Sequence, residues 1–79
     1  MKAPKLEIPD GSAAQQLRHK LNLNQAEFWG RLKVTQSGGS RYESGRNIPE
    51  PIKLLMNITY GTHRHADRLL SYLREKKEK

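Results

Sequence analysis

The stretch LNQAEFWGRLKVTQSGGSRYESG, residues 23–45, contains the signals of two short helices joined by a tight turn. Asn24 and Glu27 have the spacing of a capping box at the start of the first helix. Thr35 caps the second helix, and Gly45 follows its end as a left-handed stop. Two helices separated by about three residues are the pattern of a helix-turn-helix, so this stretch determines the expected fold.

The second of these helices carries one continuous polar face. At 100° per residue, Arg41 lies about one turn beyond Ser37, and Gln36 and Ser40 lie beside them. Glutamine can form two hydrogen bonds with adenine, and arginine can form two with guanine O6 and N7. Gly39 points to the opposite side, toward the core. The polar face is therefore the candidate functional surface.

The rest of the chain gives three more helices and no strand signal, so we predict an all-α, compact bundle of five short helices. Helix 1 is predicted over residues 12–21, where Ser12 and Gln15 have the spacing of a capping box. Pro51 fits the first position of helix 4, and Thr62 fits the cap of helix 5.

Helix 4 has apolar residues around most of its circumference and is expected to be largely buried. These residues are Ile52, Leu54, Leu55, Met56 and Ile58. In helix 5, Leu69, Leu70 and Leu73 follow helical spacing and are expected to pack on their own domain. A homodimer interface through helix 5, at Leu69, Tyr72 or Leu73, is an open alternative for whatever the core leaves exposed.

With 79 residues, the chain is predicted to be a single domain. We expect a flexible N-terminal arm over residues 1–11, the helical domain over residues 12–73 and a charged tail over residues 74–79. A minor-groove role for the arm, through Lys2 and Lys5, remains open.

The net charge of +7 and the pI of about 10.1 favour a polyanionic partner: nucleic acid, an acidic protein or an anionic membrane surface. There is no cysteine, so neither disulfides nor thiolate metal sites are expected. No apolar run approaches the ~20 residues of a membrane span, and the start lacks the apolar block of a signal peptide. We therefore expect a cytoplasmic protein without membrane attachment.

Catalytic, metal and cofactor sites are not expected either. His63 and His65 are two residues apart on a predicted helix, so their side chains point about 200° apart. No carboxylate joins them at metal-ligand spacing. No nucleophile is paired with a base in a recognisable pattern. The protein is not expected to be an enzyme, and nothing implies a small-molecule ligand.

The strings LNQAE, TQ and YESG resemble motifs of the lambda-repressor-like (Xre/Cro) family of phage and bacterial repressors. They match its Leu-x-Gln-x-Glu opening, the Thr-Gln start of its recognition helix and its closing Glu-x-Gly. The resemblance extends over about residues 17–61, more than half of the chain. It implies that helix 3 lies in the major groove of double-stranded DNA.

The resemblance also implies which residues contact DNA. Gln25 resembles the glutamine that binds a phosphate and supports the first recognition residue. Gln36 and Ser37 match positions that reach base edges, and the loop after helix 3 often contacts the DNA backbone. The implied DNA-binding residues are Gln25, Thr35, Gln36, Ser37, Ser40, Arg41, Arg46 and Asn47.

Four structural residues follow from the same resemblance. Arg18 and Glu43 match a buried ion pair between helix 1 and the end of helix 3. Gly39 occupies a position that usually has a branched apolar residue, and Trp29 occupies one that is usually small. We interpret the two as complementary, with the indole filling the volume beside Gly39.

Lys33 is a further departure from the usual pattern. Lys33 occupies the turn position that is normally glycine, where a left-handed conformation costs other residues about 1–2 kcal/mol. Gly38 has no evident packing partner. It either allows close approach of the backbone to phosphate or is merely tolerated.

These observations predict a sequence-specific DNA-binding protein, a small transcriptional regulator that works without a cofactor. The alternative is a protein-interaction adaptor or antitoxin-like partner that uses the same scaffold, and the glycine-weakened helix 3 favours it. An RNA-binding module is a third possibility, but the exposed aromatic platform usual for single-stranded RNA is missing.

Overall fold

A computed structural model describes residues 3–75; Lys2 and the tail residues 76–79 lie outside this range. The helices are α1 (Gly11–Lys20), α2 (Gln25–Gly30), α3 (Gln36–Glu43), α4 (Glu50–Tyr60) and α5 (His63–Glu75). Helix α3 packs against α1 and α2, and α4 packs against α5. The described residues contain no strand, so the predicted all-α bundle of five helices is confirmed.

The core is centred on aromatic side chains of α2. Phe28 and Trp29 are fully buried, as their place in the motif predicts. Phe28 stacks on Tyr60 with ring centroids 4.2 Å apart, and the Tyr60 hydroxyl donates a 2.6 Å hydrogen bond to the Phe28 carbonyl oxygen. Stacked rings with a satisfied hydroxyl fix α4 against α2. The buried core cluster contains Ile8, Ala14, Phe28, Trp29, Leu32, Ile48 and Met56.

The predicted start of α1 is wrong. Asp10, and not Ser12, is the N-cap residue, and its carboxylate accepts a 2.9 Å hydrogen bond from the Ala13 amide. The helix begins at Gly11, whose backbone lies against the Tyr42 carbonyl at the end of α3. A side chain at position 11 would overlap that carbonyl, so glycine is required for this close approach.

The end of the predicted arm is bound to the bundle. Ile8 is buried, and its amide donates to Asn57 Oδ1 at 2.8 Å while Asn57 Nδ2 donates to the Ile8 carbonyl at 2.9 Å. The Glu7 carboxylate accepts hydrogen bonds from the Thr62 amide at 2.9 Å and the Thr62 hydroxyl at 3.0 Å. The sequence pattern did not indicate these contacts.

Helix α4 is less buried than predicted. It begins at Glu50, so Pro51 occupies the second position and not the first. Only Met56 and Asn57 are buried on it, and Leu55 is 41% exposed. One side of the helix packs against α2, α5 and the arm, which leaves the other side in solvent.

Helix α5 is amphipathic, and part of its apolar face is exposed to solvent. The Thr62 hydroxyl accepts a 3.2 Å hydrogen bond from the His65 amide, which confirms the predicted cap. Leu69 is buried, but Leu70 is 42% exposed and Leu73 is 39% exposed. The expectation that all three leucines pack on their own domain is therefore wrong for two of them.

No helix within residues 3–75 is long and apolar enough to cross a membrane. In the same range, no group of three or more His, Cys, Asp or Glu side chains is placed to bind a metal ion. His65 is buried beside the arm, where its Nε2 atom lies 3.4 Å from the Glu7 amide.

Candidate nucleic-acid interface

The turn between α2 and α3 is tight and contains the left-handed residue that the motif requires. Lys33 has a φ angle of 62°, and its amide donates a 3.0 Å hydrogen bond to the Gly30 carbonyl. The Val34 amide donates to the Trp29 carbonyl, also at 3.0 Å. The turn is therefore well hydrogen-bonded but contains a strained lysine.

Both helices of the motif begin with the predicted caps. Asn24 accepts from the Glu27 amide at 2.8 Å, and Glu27 accepts from the Asn24 amide at 2.9 Å. The Thr35 hydroxyl accepts from the Gly38 amide at 3.0 Å. Gly45 follows α3 with a φ angle of 117°, as expected of a left-handed stop. These caps set the ends of α2 and α3 and therefore the direction of the α3 face.

The predicted polar face of α3 borders an open groove together with one residue of α2. The residues that line this groove are Gln25, Gln36, Ser37, Ser40 and Arg41. The four α3 side chains form no hydrogen bond or ion pair with any other residue that the structure describes. Their polar groups are thus available to a partner.

The loop after α3 lies beside a second groove. Arg46 and Asn47 are exposed, and they line this groove together with Lys53 and the start of α1. The Arg46 amide donates a 3.0 Å hydrogen bond to the Arg41 carbonyl, which fixes the backbone of the loop to the end of α3. The structure does not bring Arg46 and Asn47 into the groove of the α3 face.

The carboxylate of Glu43 joins the three helices of the motif region. Arg18 donates to it through Nε at 2.8 Å and through Nη2 at 2.9 Å, so the expected ion pair is present. Trp29 Nε1 donates to Oε2 at 2.8 Å, and Gln25 Nε2 donates to Oε1 at 3.1 Å. The Glu43 side chain is only 2% exposed.

These contacts determine the charge state of the pair. Burial alone raises the pKa of Glu43, but the hydrogen bonds from Arg18, Trp29 and Gln25 outweigh it and hold the pKa below the usual range. The hydrogen bond to Glu43 in turn raises the pKa of Arg18. Both groups are therefore charged at neutral pH. No buried side-chain nitrogen or oxygen among the described residues lacks a hydrogen bond.

The Trp29 indole covers Gly39, as the sequence predicts. A Cβ atom at position 39 would overlap indole Cγ and Cδ1, and it would lie 2.8 Å from Cδ2. Tyr42 also packs on the indole, with ring centroids 5.5 Å apart. Glycine at 39 is thus required by the tryptophan at 29.

Gly38 has neighbours that the sequence did not indicate. A Cβ atom there would lie 3.2 Å from both Thr35 Oγ1 and Val34 Cγ1. Alanine at 38 would press on the cap of α3, which offsets the helix propensity of about 1 kcal/mol that it adds.

Two of the contacts that position the site were not predicted from the sequence. Trp29 was expected in the core without a polar partner, and Gln25 was expected to support the first recognition residue, whereas the structure bonds it to Glu43. Residues four apart share one face of a helix, so Gln25 and Trp29 lie together on α2. That spacing, opposite a buried carboxylate, is the signal that could have revealed both hydrogen bonds to Glu43.

A family model described as the RsaL-like HTH domain matches residues 15–59, more than half of the chain. No curated protein and no solved structure matched significantly. The matched range contains α2, the turn, α3 and the hydrogen-bonded Glu43 carboxylate. The chain therefore belongs to the RsaL-like helix-turn-helix domain family.

Proposed function

We propose that the protein is a small, sequence-specific regulator of transcription that binds double-stranded DNA through α3. The observation that carries the proposal is the polar face of α3, whose side chains project from a capped helix-turn-helix without partners in the described part of the chain. Membership of a helix-turn-helix family and the net charge of +7 support it.

In this mechanism, phosphate contacts set the position of the protein and base contacts determine specificity. Arg46, Asn47 and nearby basic side chains would bind the DNA backbone. Gln36, Ser37, Ser40 and Arg41 would face base edges in the major groove, with Arg41 suited to guanine and Gln36 to adenine. Thr35 caps α3 and would lie where the helix enters the groove.

Regulation would follow from occupancy, because a protein bound over or near a promoter excludes or recruits polymerase. The resemblance to lambda-repressor-like (Xre/Cro) repressors supports this mode of action. We infer a cytoplasmic protein that needs no cofactor or small-molecule ligand and catalyses no reaction.

A homodimer through α5 is part of the proposal. Leu69 is buried in its own domain, whereas Leu70 and Leu73 remain partly exposed on the same helix. Two recognition helices about 34 Å apart would reach successive major grooves on one side of the duplex.

The deciding experiment is selection of bound sequences from a random pool of double-stranded DNA, followed by a salt titration on the enriched site. We expect one enriched motif and a log–log salt slope of about −0.9 for each phosphate that is neutralised. Binding that stays flat with salt, or a pool without enrichment, would contradict the proposal and favour the protein-interaction adaptor.

A further inference from the structure

The side chain of Gln25 connects the candidate DNA surface with the buried ion pair. Its Nε2 atom donates a 3.1 Å hydrogen bond to Glu43 Oε1, and the same side chain lines the groove beside α3. Gln25 is half-buried, so part of it remains accessible from the groove.

The contact with Glu43 determines which end of the amide faces which partner. A carboxylate accepts hydrogen bonds but cannot donate them, and the pKa of Glu43 is held below its usual range. Only the nitrogen of Gln25 can therefore bond to Glu43. The amide oxygen, at the other end of the group, has no hydrogen bond to any described residue.

We propose that Glu43 is a positioning residue for base readout, because it holds the Gln25 amide so that Oε1 accepts an N–H group in the major groove. The donor would be the exocyclic amino group of adenine or cytosine at the groove that Gln25 lines. This inference rests on the proposed DNA binding and assigns a role within it.

The assignment differs from the phosphate contact that the family resemblance implies for Gln25. A phosphate oxygen has no hydrogen to donate, so it cannot satisfy Oε1. One N–H of the amide is already used by Glu43. The second N–H can still donate to a phosphate oxygen, but the free acceptor Oε1 needs a donor, which a base edge can supply and the DNA backbone cannot.

The first test compares wild type with Gln25→Ala in the random-pool selection. We expect the variant to lose about two- to tenfold of its preference at one base pair and to keep its other preferences, since a single hydrogen bond is removed. An even loss of affinity across all sequences would indicate a phosphate contact and overturn the inference. A wild type that enriches no sequence would instead refute the proposed function itself.

The second test separates positioning from stability by comparing Glu43→Gln with Trp29→Phe. Glutamine at 43 can donate as well as accept, so it no longer fixes the Gln25 amide, and preference should relax at the same base pair as in Gln25→Ala. Trp29→Phe also removes one hydrogen bond to Glu43 but leaves the one from Gln25. It should lower the melting temperature and keep the preference. Unchanged preference in Glu43→Gln, or equal relaxation in both variants, would overturn the positioning role.

A measurement on the wild type covers the case in which Glu43→Gln does not fold. The side-chain amide protons of Gln25, followed by NMR at decreasing pH, should shift together with the titration of Glu43. Amide signals that do not respond to this titration would contradict the assignment. In a Gln36→Ala background, Gln25→Ala should still change its own base pair. No further effect there would show that Gln25 only supports Gln36 and would overturn the inference.

Discussion

At the scale of the residue, Arg41 is the side chain whose role is most readily isolated. It is exposed on the groove face of α3 and forms no ion pair with the described residues. Arg41→Ala should weaken specific DNA binding by about 1–3 kcal/mol, relax one base preference and leave stability nearly unchanged. Binding isotherms and thermal melts on the same samples give both quantities.

Arg64→Ala is the matched control for that variant. It removes the same charge from an exposed position on α5, a helix that packs on α4. Its effect should be a uniform and smaller loss of affinity. If the two variants weaken binding equally for every sequence, Arg41 contributes charge only.

Lys33 allows a test of backbone strain at a single position. Its φ angle of 62° is left-handed, which costs about 1–2 kcal/mol in a residue with a Cβ atom. Lys33→Gly should raise the free energy of unfolding by up to about 1 kcal/mol, because the added entropy of the unfolded chain cancels part of the relief. Urea denaturation measures the change. Lys33→Ala removes the charge and keeps the strain, so an equal gain there would rule out strain as the cause.

Helix caps and stops are the features that the sequence predicted best. Asn24, Thr35 and Gly45 act on backbone groups within a few positions, so a single sequence reveals them. Asn57 was missed because its hydrogen-bond partner, the Ile8 backbone, is 49 positions away along the chain. A polar residue on an apolar helix gives no local sign of such a partner.

At the scale of the element, the packing of α2 on α3 depends on a tryptophan and a glycine. Gly39→Ile should destabilise the protein, because overpacking costs about 1–3 kcal/mol while helix propensity returns only a few tenths. Trp29→Ala should cost about 3–5 kcal/mol through the cavity that it leaves. The double mutant should recover part of the summed loss, since isoleucine at 39 fills that cavity. A double-mutant cycle on the free energy of unfolding gives the coupling, and additive effects would contradict the observed contact.

The ends of the elements were harder to predict than their existence. On local grounds, α1 has two acceptable N-caps. One is Ser12, which has capping-box spacing with Gln15, and the other is Asp10. The close contact of Gly11 with the Tyr42 carbonyl favours the earlier start. Tyr42 lies on α3, so the sequence around α1 does not reveal this contact. The overestimated burial of α4 has a similar origin, since apolar composition does not show how many neighbours a helix has.

At the scale of the whole molecule, the ion pair between α1 and α3 predicts a loss of stability in acid. The pKa of Glu43 is lower in the folded state than in the unfolded chain, where it is about 4.3. Its contribution is therefore complete above that value and is lost as pH falls through the folded pKa. Thermal melts between neutral and acid pH should show a falling melting temperature below about pH 4.3.

Glu43→Gln should be less stable at neutral pH, by about 3–5 kcal/mol, because Arg18 loses its buried partner. It should also show a weaker acid dependence than wild type. Glu7→Gln is the control, since the pKa of Glu7 is lowered too, through the hydrogen bond from the Thr62 amide, but on the surface. A wild-type acid profile in Glu43→Gln would show that other groups cause the loss.

Assembly is the other prediction at this scale. If α5 forms the dimer interface, Leu70→Glu and Leu73→Glu should give monomers in sedimentation velocity and weaken binding to a two-half-site operator. Leu21→Glu changes a leucine of similar exposure, 45%, at the end of α1 and should remain dimeric. A wild type that sediments as a monomer and selects an asymmetric site would exclude the dimer.

The hydrogen bond from the indole of Trp29 to Glu43 has a practical consequence for spectroscopy. The chain has a single tryptophan, and it is fully buried where α1, α2 and α3 meet. Its fluorescence emission therefore originates from the helix-turn-helix alone, without added label. Titration, stopped-flow mixing or heating followed by tryptophan emission will monitor opening of the junction of α1, α2 and α3.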